Sequence, residues 1–90
     1  MLIHELRAMV DFIDSSKIKS NKQKLIKIIA NWKIICDSYG STLEDAALKR
    51  AVSYDLHNVP YKEAIEYIYT ILNLYEEVYE KNERKWDKVV

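Results

Sequence analysis

The sequence has very few residues of the kinds that interrupt helices. Gly40 and Pro60 are the only glycine and the only proline among 90 residues. Folds built from strands and tight turns use both residue types at nearly every chain reversal. This scarcity argues against a β-rich fold and favours long helices joined by few connections.

Cysteine and metal-binding patterns are equally scarce. Cys36 is the single cysteine, so an internal disulfide and a CxxC site for zinc or redox chemistry are both excluded. His4 and His57 lack a second ligand at metal-binding spacing on their own helices. We therefore expect no metal site. A single cysteine, which cannot form an internal disulfide, favours an intracellular, cytoplasmic protein.

The sequence motifs of common active sites are also missing. GxSxG, P-loop, GxGxxG and HExxH patterns do not occur. Cys36 falls on an apolar helical stripe, where a free cysteine usually behaves as a small hydrophobic residue. The sequence thus predicts no catalytic residues, no cofactor and no enzymatic activity.

No apolar run approaches the roughly 20 residues that a membrane-spanning helix needs. Glu5 and Asp11 interrupt the first apolar stretch, so we also expect no secretory signal. Together these features predict a protein without a membrane span.

What the sequence does have is helical periodicity. Apolar residues recur at spacings of three and four in four segments, about 2–14, 21–39, 42–57 and 60–86. The pattern predicts an all-α fold: a small antiparallel bundle of four, or alternatively three, amphipathic helices. In the four-helix bundle the first helix is expected to be shorter or loosely docked. A chain of 90 residues has room for one core, so we expect a single helical domain over 1–90.

Local signals mark where these helices begin and end. Ser20 with Gln23 has the spacing of a capping box, and the Ser41-Thr42-Leu43-Glu44 stretch repeats the pattern. Gly40 can supply the left-handed residue that closes the second helix. Pro60 pushes the residue before it out of the α region and fits the first turn of the last helix.

The charges balance in number but not in position. The chain has 14 basic and 14 acidic residues, so its zero net charge gives no bulk attraction for nucleic acid. The segment from Ser15 to Cys36, however, contains no acidic residue and six lysines: Lys17, Lys19, Lys22, Lys24, Lys27 and Lys33. Glutamates predominate in the last helix. Two interpretations follow: the basic and acidic helices screen each other, within one chain or between two, or the lysines contact phosphate or an acidic protein.

The last helix carries more apolar and tyrosine surface than one small core needs. Six of the seven tyrosines lie between Tyr54 and Tyr79. Tyrosine is well suited to interfaces because it combines a large ring with a hydroxyl group that needs a partner. The residues that fall outside or beyond the central stripe form the candidate protein interface: Tyr67, Tyr69, Leu74 and Trp86.

The favoured function is therefore that of a small non-catalytic regulatory, inhibitory or immunity-type protein that binds another protein and self-associates, with a homodimer as the expected state. The alternative is a nucleic-acid-associated protein that contacts phosphate through the lysines of segment 17–33. In size and helix count the predicted bundle is similar to bacteriocin-immunity proteins and to phage-encoded regulators. The similarity is one of architecture and includes no shared motif.

Overall fold

The protein is an all-α bundle. The computed structural model describes residues 2–39 and 42–89, with only the backbone described for 82–89. Its four α-helices are α1 (Leu2–Asp14), α2 (Asn21–Tyr39), α3 (Leu43–Ala51) and α4 (Tyr61–Val89). A short 3-10 helix, Tyr54–Asn58, connects α3 to α4. No strand occurs within the described ranges, which confirms the predicted fold class.

The starts of α2 and α3 show how side chains cap helices here. The Ser20 hydroxyl accepts a hydrogen bond from the Gln23 amide at 3.3 Å, as the capping-box pattern predicts. At α3 the cap is Thr42, whose hydroxyl accepts from the Asp45 amide at 3.0 Å. The cap therefore lies one residue later than the Ser41–Glu44 pattern places it. Ser41 and the predicted stop Gly40 lie outside the described residues.

The predicted third helix, 42–57, is wrong in its second half. Regular helix ends at Ala51, and Val52 and Ser53 adopt extended backbone conformations before the 3-10 turn begins. Leu48, Val52 and Leu56 lie four residues apart and are all buried, so their spacing mimics one continuous helix. Because the extended link still allows Val52 and Leu56 to reach the core, apolar spacing alone could not locate the break.

α4 begins where the proline predicts and extends slightly further than expected. Val59 is extended, with φ −84° and ψ 144°, and the carbonyl of Pro60 accepts from the Ala64 amide at 3.0 Å. The helix then continues to Val89, beyond the predicted end near residue 86. With 29 residues against 19 in α2, it is the longest helix of the bundle.

All four helices contribute to one core. Its largest fully buried side chain is Trp32, which donates its indole N–H to the carbonyl of Leu48 at 3.0 Å. This bond joins α2 to α3 and satisfies a polar group that would be costly to bury unpaired. The largest fully buried aliphatic side chains are Ile3, Leu6, Leu25, Ile28, Leu48, Ile68 and Leu72.

Side-chain bonds show the direction of α4 relative to its neighbours. Along α1, Arg7 reaches Asn73 whereas the later residue Asp14 binds Tyr61. Rising residue numbers in α1 thus meet falling numbers in α4, so the two helices are antiparallel. α3 is related to α4 in the same way, because Asp45 binds Tyr79 and Ala51 binds Tyr67.

Candidate protein-binding surface

Two exposed apolar side chains lie on the same outer flank of α4. Leu74 is 57% exposed and Tyr67 is 46% exposed. They are seven residues apart, which places them two turns apart on one face of the helix. Glu63, four residues before Tyr67, and Glu77, three residues after Leu74, are exposed along the same flank. We call these four residues the α4 surface.

Tyr67 is held in place from the neighbouring helix. Its hydroxyl donates to the carbonyl of Ala51, the last residue of α3, at 2.8 Å. This bond satisfies a carbonyl at the helix C-terminus that has no intrahelical partner. It fixes the tyrosine ring beside the seam between α3 and α4 while nearly half of the side chain stays exposed. The ring is therefore already oriented before any partner binds.

Tyr69, also predicted to lie in the interface, forms a hydrogen bond within the chain. It is partly buried against the core, and its hydroxyl donates to the Asp11 carboxylate of α1 at 2.5 Å. Burial, together with this bond and the charge of Asp11, raises the pKa of Tyr69. The α4 surface therefore does not include it. Trp86, the fourth predicted interface residue, lies outside the residues whose side chains are described.

Two more tyrosines of α4 bind carboxylates in the same way. Tyr61 donates to Asp14 of α1, and Tyr79 donates to Asp45 of α3. Burial and these hydrogen bonds raise the pKa of both tyrosines. The sequence-based prediction missed the Tyr–Asp pairs. No local sequence signal identifies these pairs, because they depend on which helices pack against α4.

The predicted phosphate contacts divide into two groups. Lys24 donates to the carbonyl of Asp14 at 2.8 Å, and its ammonium lies 5.7 Å from the centre of the Tyr61 ring, so it is engaged within the fold. The other five lysines are exposed and make no ion pair among the described residues: Lys17, Lys19, Lys22, Lys27 and Lys33.

The two ion pairs of the described residues lie elsewhere. Arg7 of α1 binds Glu76 of α4 at 2.7 Å, and Lys49 of α3 binds Asp37 of α2. Neither one joins an α2 lysine to an α4 glutamate. Within the described part of the chain, the basic and acidic helices thus do not screen each other by direct pairing.

The candidate chemical groups do not assemble into a reactive site. Cys36 is buried in the core, and burial, reinforced by the nearby charges of Asp37 and Asp45, raises the pKa of its thiol to about 11. The thiol is therefore protonated at neutral pH and is a poor nucleophile. His4 is exposed, whereas Nδ1 of His57 donates to the carbonyl of Tyr54 at 2.5 Å. Among the described residues, no three His, Cys, Asp or Glu side chains gather as metal ligands would.

None of the described helices combines the length and apolar character that crossing a membrane requires. Comparisons with protein-family models, with curated proteins and with solved structures found no match to this chain. Functional inference therefore depends on the chain's own geometry.

Proposed function

We propose that this protein acts by binding another protein through the α4 surface, without catalysing a reaction. The observation that supports this proposal most directly is the exposure of Leu74 beside Tyr67 on a helix whose other face builds the core. An apolar and aromatic centre with a charged margin is the usual composition of a protein interface. The protein would then serve as a small regulator, inhibitor or immunity-type factor, as its size and helical fold are suited to do.

The fixed orientation of Tyr67 also supports the proposed protein-binding function. A binding residue that is already fixed loses little conformational entropy when a partner arrives. The bond from Tyr67 to Ala51 provides such preorganisation, because it joins the candidate surface to the end of a neighbouring helix. We further propose that the protein self-associates and that it works in the cytoplasm, where a buried free thiol such as Cys36 is stable.

A cross-linking experiment in cells that express the gene tests the protein-binding function. Leu74→Arg places a charge at the centre of the α4 surface and should abolish the cross-linked species of higher mass. Phe12→Arg is the matched control, because Phe12 on α1 is 77% exposed but lies away from that surface. The proposal fails if Leu74→Arg retains all cross-linked species, or if both substitutions remove them equally.

The exposed lysines support a second candidate function, association with nucleic acid. Five lysines without ion pairs in the described structure form a basic segment that begins in the α1–α2 connection. Binding to phosphate would weaken steeply with salt, with a log–log slope close to the number of contacts. Absence of DNA or RNA retardation at low salt would exclude this candidate. A shallower slope in Lys27→Ala would support it.

A further inference from the structure

The outer face of α2 carries another exposed apolar residue with charged neighbours. Ile34 is 67% exposed on the side of the helix opposite the buried stripe. Ala30 and Lys27, four and seven residues earlier, share this exposed side, and exposed Lys33 lies on its flank. We call these four residues the α2 surface.

The α2 surface and the α4 surface complement each other in charge. Ile34 is accompanied by Lys27 and Lys33, whereas Leu74 and Tyr67 are accompanied by Glu63 and Glu77. Each surface therefore has an apolar centre. The charged neighbours of the α2 surface are basic, and those of the α4 surface are acidic apart from exposed Lys81, four residues after Glu77. Asp37 does not neutralise the basic margin, because it is paired with Lys49 of α3.

The two surfaces cannot meet within one molecule. α2 and α4 direct their buried faces towards the same core, which contains Trp32 from one and Ile68 from the other. Ile34, Leu74 and Tyr67 lie outside this core and are exposed, so the two surfaces do not contact each other. This arrangement agrees with the lack of ion pairs between the two helices among the described residues.

We propose that copies of this chain associate head to tail, with the α2 surface of one molecule docked on the α4 surface of the next. Contact between Ile34 and the Leu74–Tyr67 pair removes apolar surface from water and supplies affinity. The lysines and glutamates select the partner and fix its orientation, since exposed ion pairs each add little affinity. This inference rests on the proposed protein-binding function and identifies its partner as a second copy of the chain.

Charge disfavours the symmetric alternatives. A two-fold pairing of α4 surfaces would bring two surfaces of net negative charge together, and a two-fold pairing of α2 surfaces would oppose lysines with lysines. Head-to-tail docking avoids both conflicts. Because each contact uses one α2 surface and one α4 surface, each added molecule leaves one surface of each kind free. The assembly should therefore grow with concentration and should not stop at a dimer.

A mixing experiment with the purified full-length protein tests this geometry. Ile34→Asp blocks the α2 surface and Leu74→Lys blocks the α4 surface, while each variant keeps its other surface intact. Both residues are exposed, so unchanged circular dichroism is expected. In sedimentation velocity, the unmodified protein should form species larger than dimers as concentration rises. Each variant alone should be monomeric, with association weakened at least tenfold, and their equimolar mixture should form a one-to-one dimer.

Charge reversal provides an independent measurement. Lys27→Glu with Lys33→Glu in one copy, and Glu63→Lys with Glu77→Lys in another, should each weaken self-association. Mixing the two should restore it, and the restored association should weaken as salt rises. Phe12→Asp is the control variant, which should assemble like the unmodified protein.

Several results would overturn head-to-tail docking. If Ile34→Asp self-associates normally while Leu74→Lys does not, the α4 surface pairs with itself. If the unmodified protein is monomeric at all concentrations, no self-association exists. In either case, loss of cellular cross-links in Leu74→Arg would still uphold the proposed protein-binding function. If cross-linked species persist in Leu74→Arg while the mixture of Ile34→Asp and Leu74→Lys forms the expected dimer, head-to-tail docking is upheld and the cross-linking evidence for the protein-binding function is lost.

Discussion

The two flanks of α4 differ in how their side chains are used. On the flank facing α1, Tyr61 and Tyr69 donate to carboxylates of Asp14 and Asp11. Arg7 completes this seam with bonds to Asn73 and Glu76. These hydrogen bonds and the Arg7–Glu76 ion pair join α1 to α4, so the side chains of the α1 flank stabilise the bundle.

On the flank facing α3, only some of the side chains bind other residues of the chain. Tyr79 binds Asp45 and Tyr67 binds the carbonyl of Ala51, but Leu74 between them remains more than half exposed. The comparison shows that tyrosine content alone does not identify a binding surface. A tyrosine whose hydroxyl group and ring are both engaged within the chain belongs to the architecture, whereas exposed neighbours such as Leu74 are available to a partner.

Alkaline pH should produce the largest change, because it acts on both flanks at once. The folded-state pKa values of Tyr61, Tyr69 and Tyr79 lie above the ordinary value of 10.0. Unfolded tyrosines therefore lose their protons at lower pH than folded ones, so the stabilisation is fully present below pH 10 and is lost as pH rises beyond it. Chemical denaturation at increasing pH should show this fall. The fall should be shallower when all three tyrosines are replaced by phenylalanine.

Tyr79→Phe should cause the largest loss among the polar substitutions and tests the α3 flank. Asp45 is only 7% exposed, so removal of the Tyr79 hydroxyl leaves a buried carboxylate with one partner fewer. Hydrogen bonds to charged groups contribute about 1.5–3 kcal/mol, so we expect a loss of about 2 kcal/mol in unfolding free energy. Urea denaturation measures it. Tyr54→Phe is the control, because that side chain is 59% exposed and its loss should be negligible.

Arg7→Met should weaken the α1 flank by a smaller amount. The substitution keeps an aliphatic stem but removes the 2.7 Å ion pair to Glu76 and the 3.0 Å bond to Asn73. Because both charged side chains are partly exposed, the expected loss is about 1 kcal/mol and should diminish at high salt. A double-mutant cycle with Glu76→Gln would measure the coupling. A coupling energy of zero would show that this pair does not hold α1 to α4.

Leu74→Ser should have the smallest effect on stability, within about 0.5 kcal/mol, because the side chain is exposed. Leu72→Ala, only two residues away but fully buried, should cost about 3 kcal/mol by leaving a cavity. Self-association measured by sedimentation should show the opposite order: Leu74→Ser should weaken it more than Leu72→Ala does. A large stability loss in Leu74→Ser would mean that Leu74 supports the fold rather than a partner.

Much of the fold could be predicted because its signals are local. α1 and α2 have the bounds that the apolar spacing predicts, and the Ser20 cap and the Val59–Pro60 junction behave as their chemistry requires. The break after Ala51 could not be predicted, because extended residues at 52 and 53 keep the same apolar residues directed at the core.

The candidate site was predictable only in part, because exposure depends on which helices become neighbours. Sequence spacing placed Tyr67, Tyr69 and Leu74 together outside the central stripe, and their hydrogen bonds and burial distinguish them in the structure. That Tyr69 belongs to a binding surface stays a prediction, and the α4 surface is defined without it. Lys24 resembles its neighbouring lysines in sequence and differs from them only through contacts made across the bundle.

The sequence by itself determined the all-α class, most helix boundaries, and the separation of basic residues in α2 from acidic residues in α4. These features depend on residue type and on spacings of a few residues, and both can be read from a short stretch of sequence. Only the tertiary structure decided that Asp11, Asp14 and Asp45 would bind tyrosines of α4. Those outcomes join residues 34 to 58 positions apart in the chain, so they require the packed core that brings the helices together.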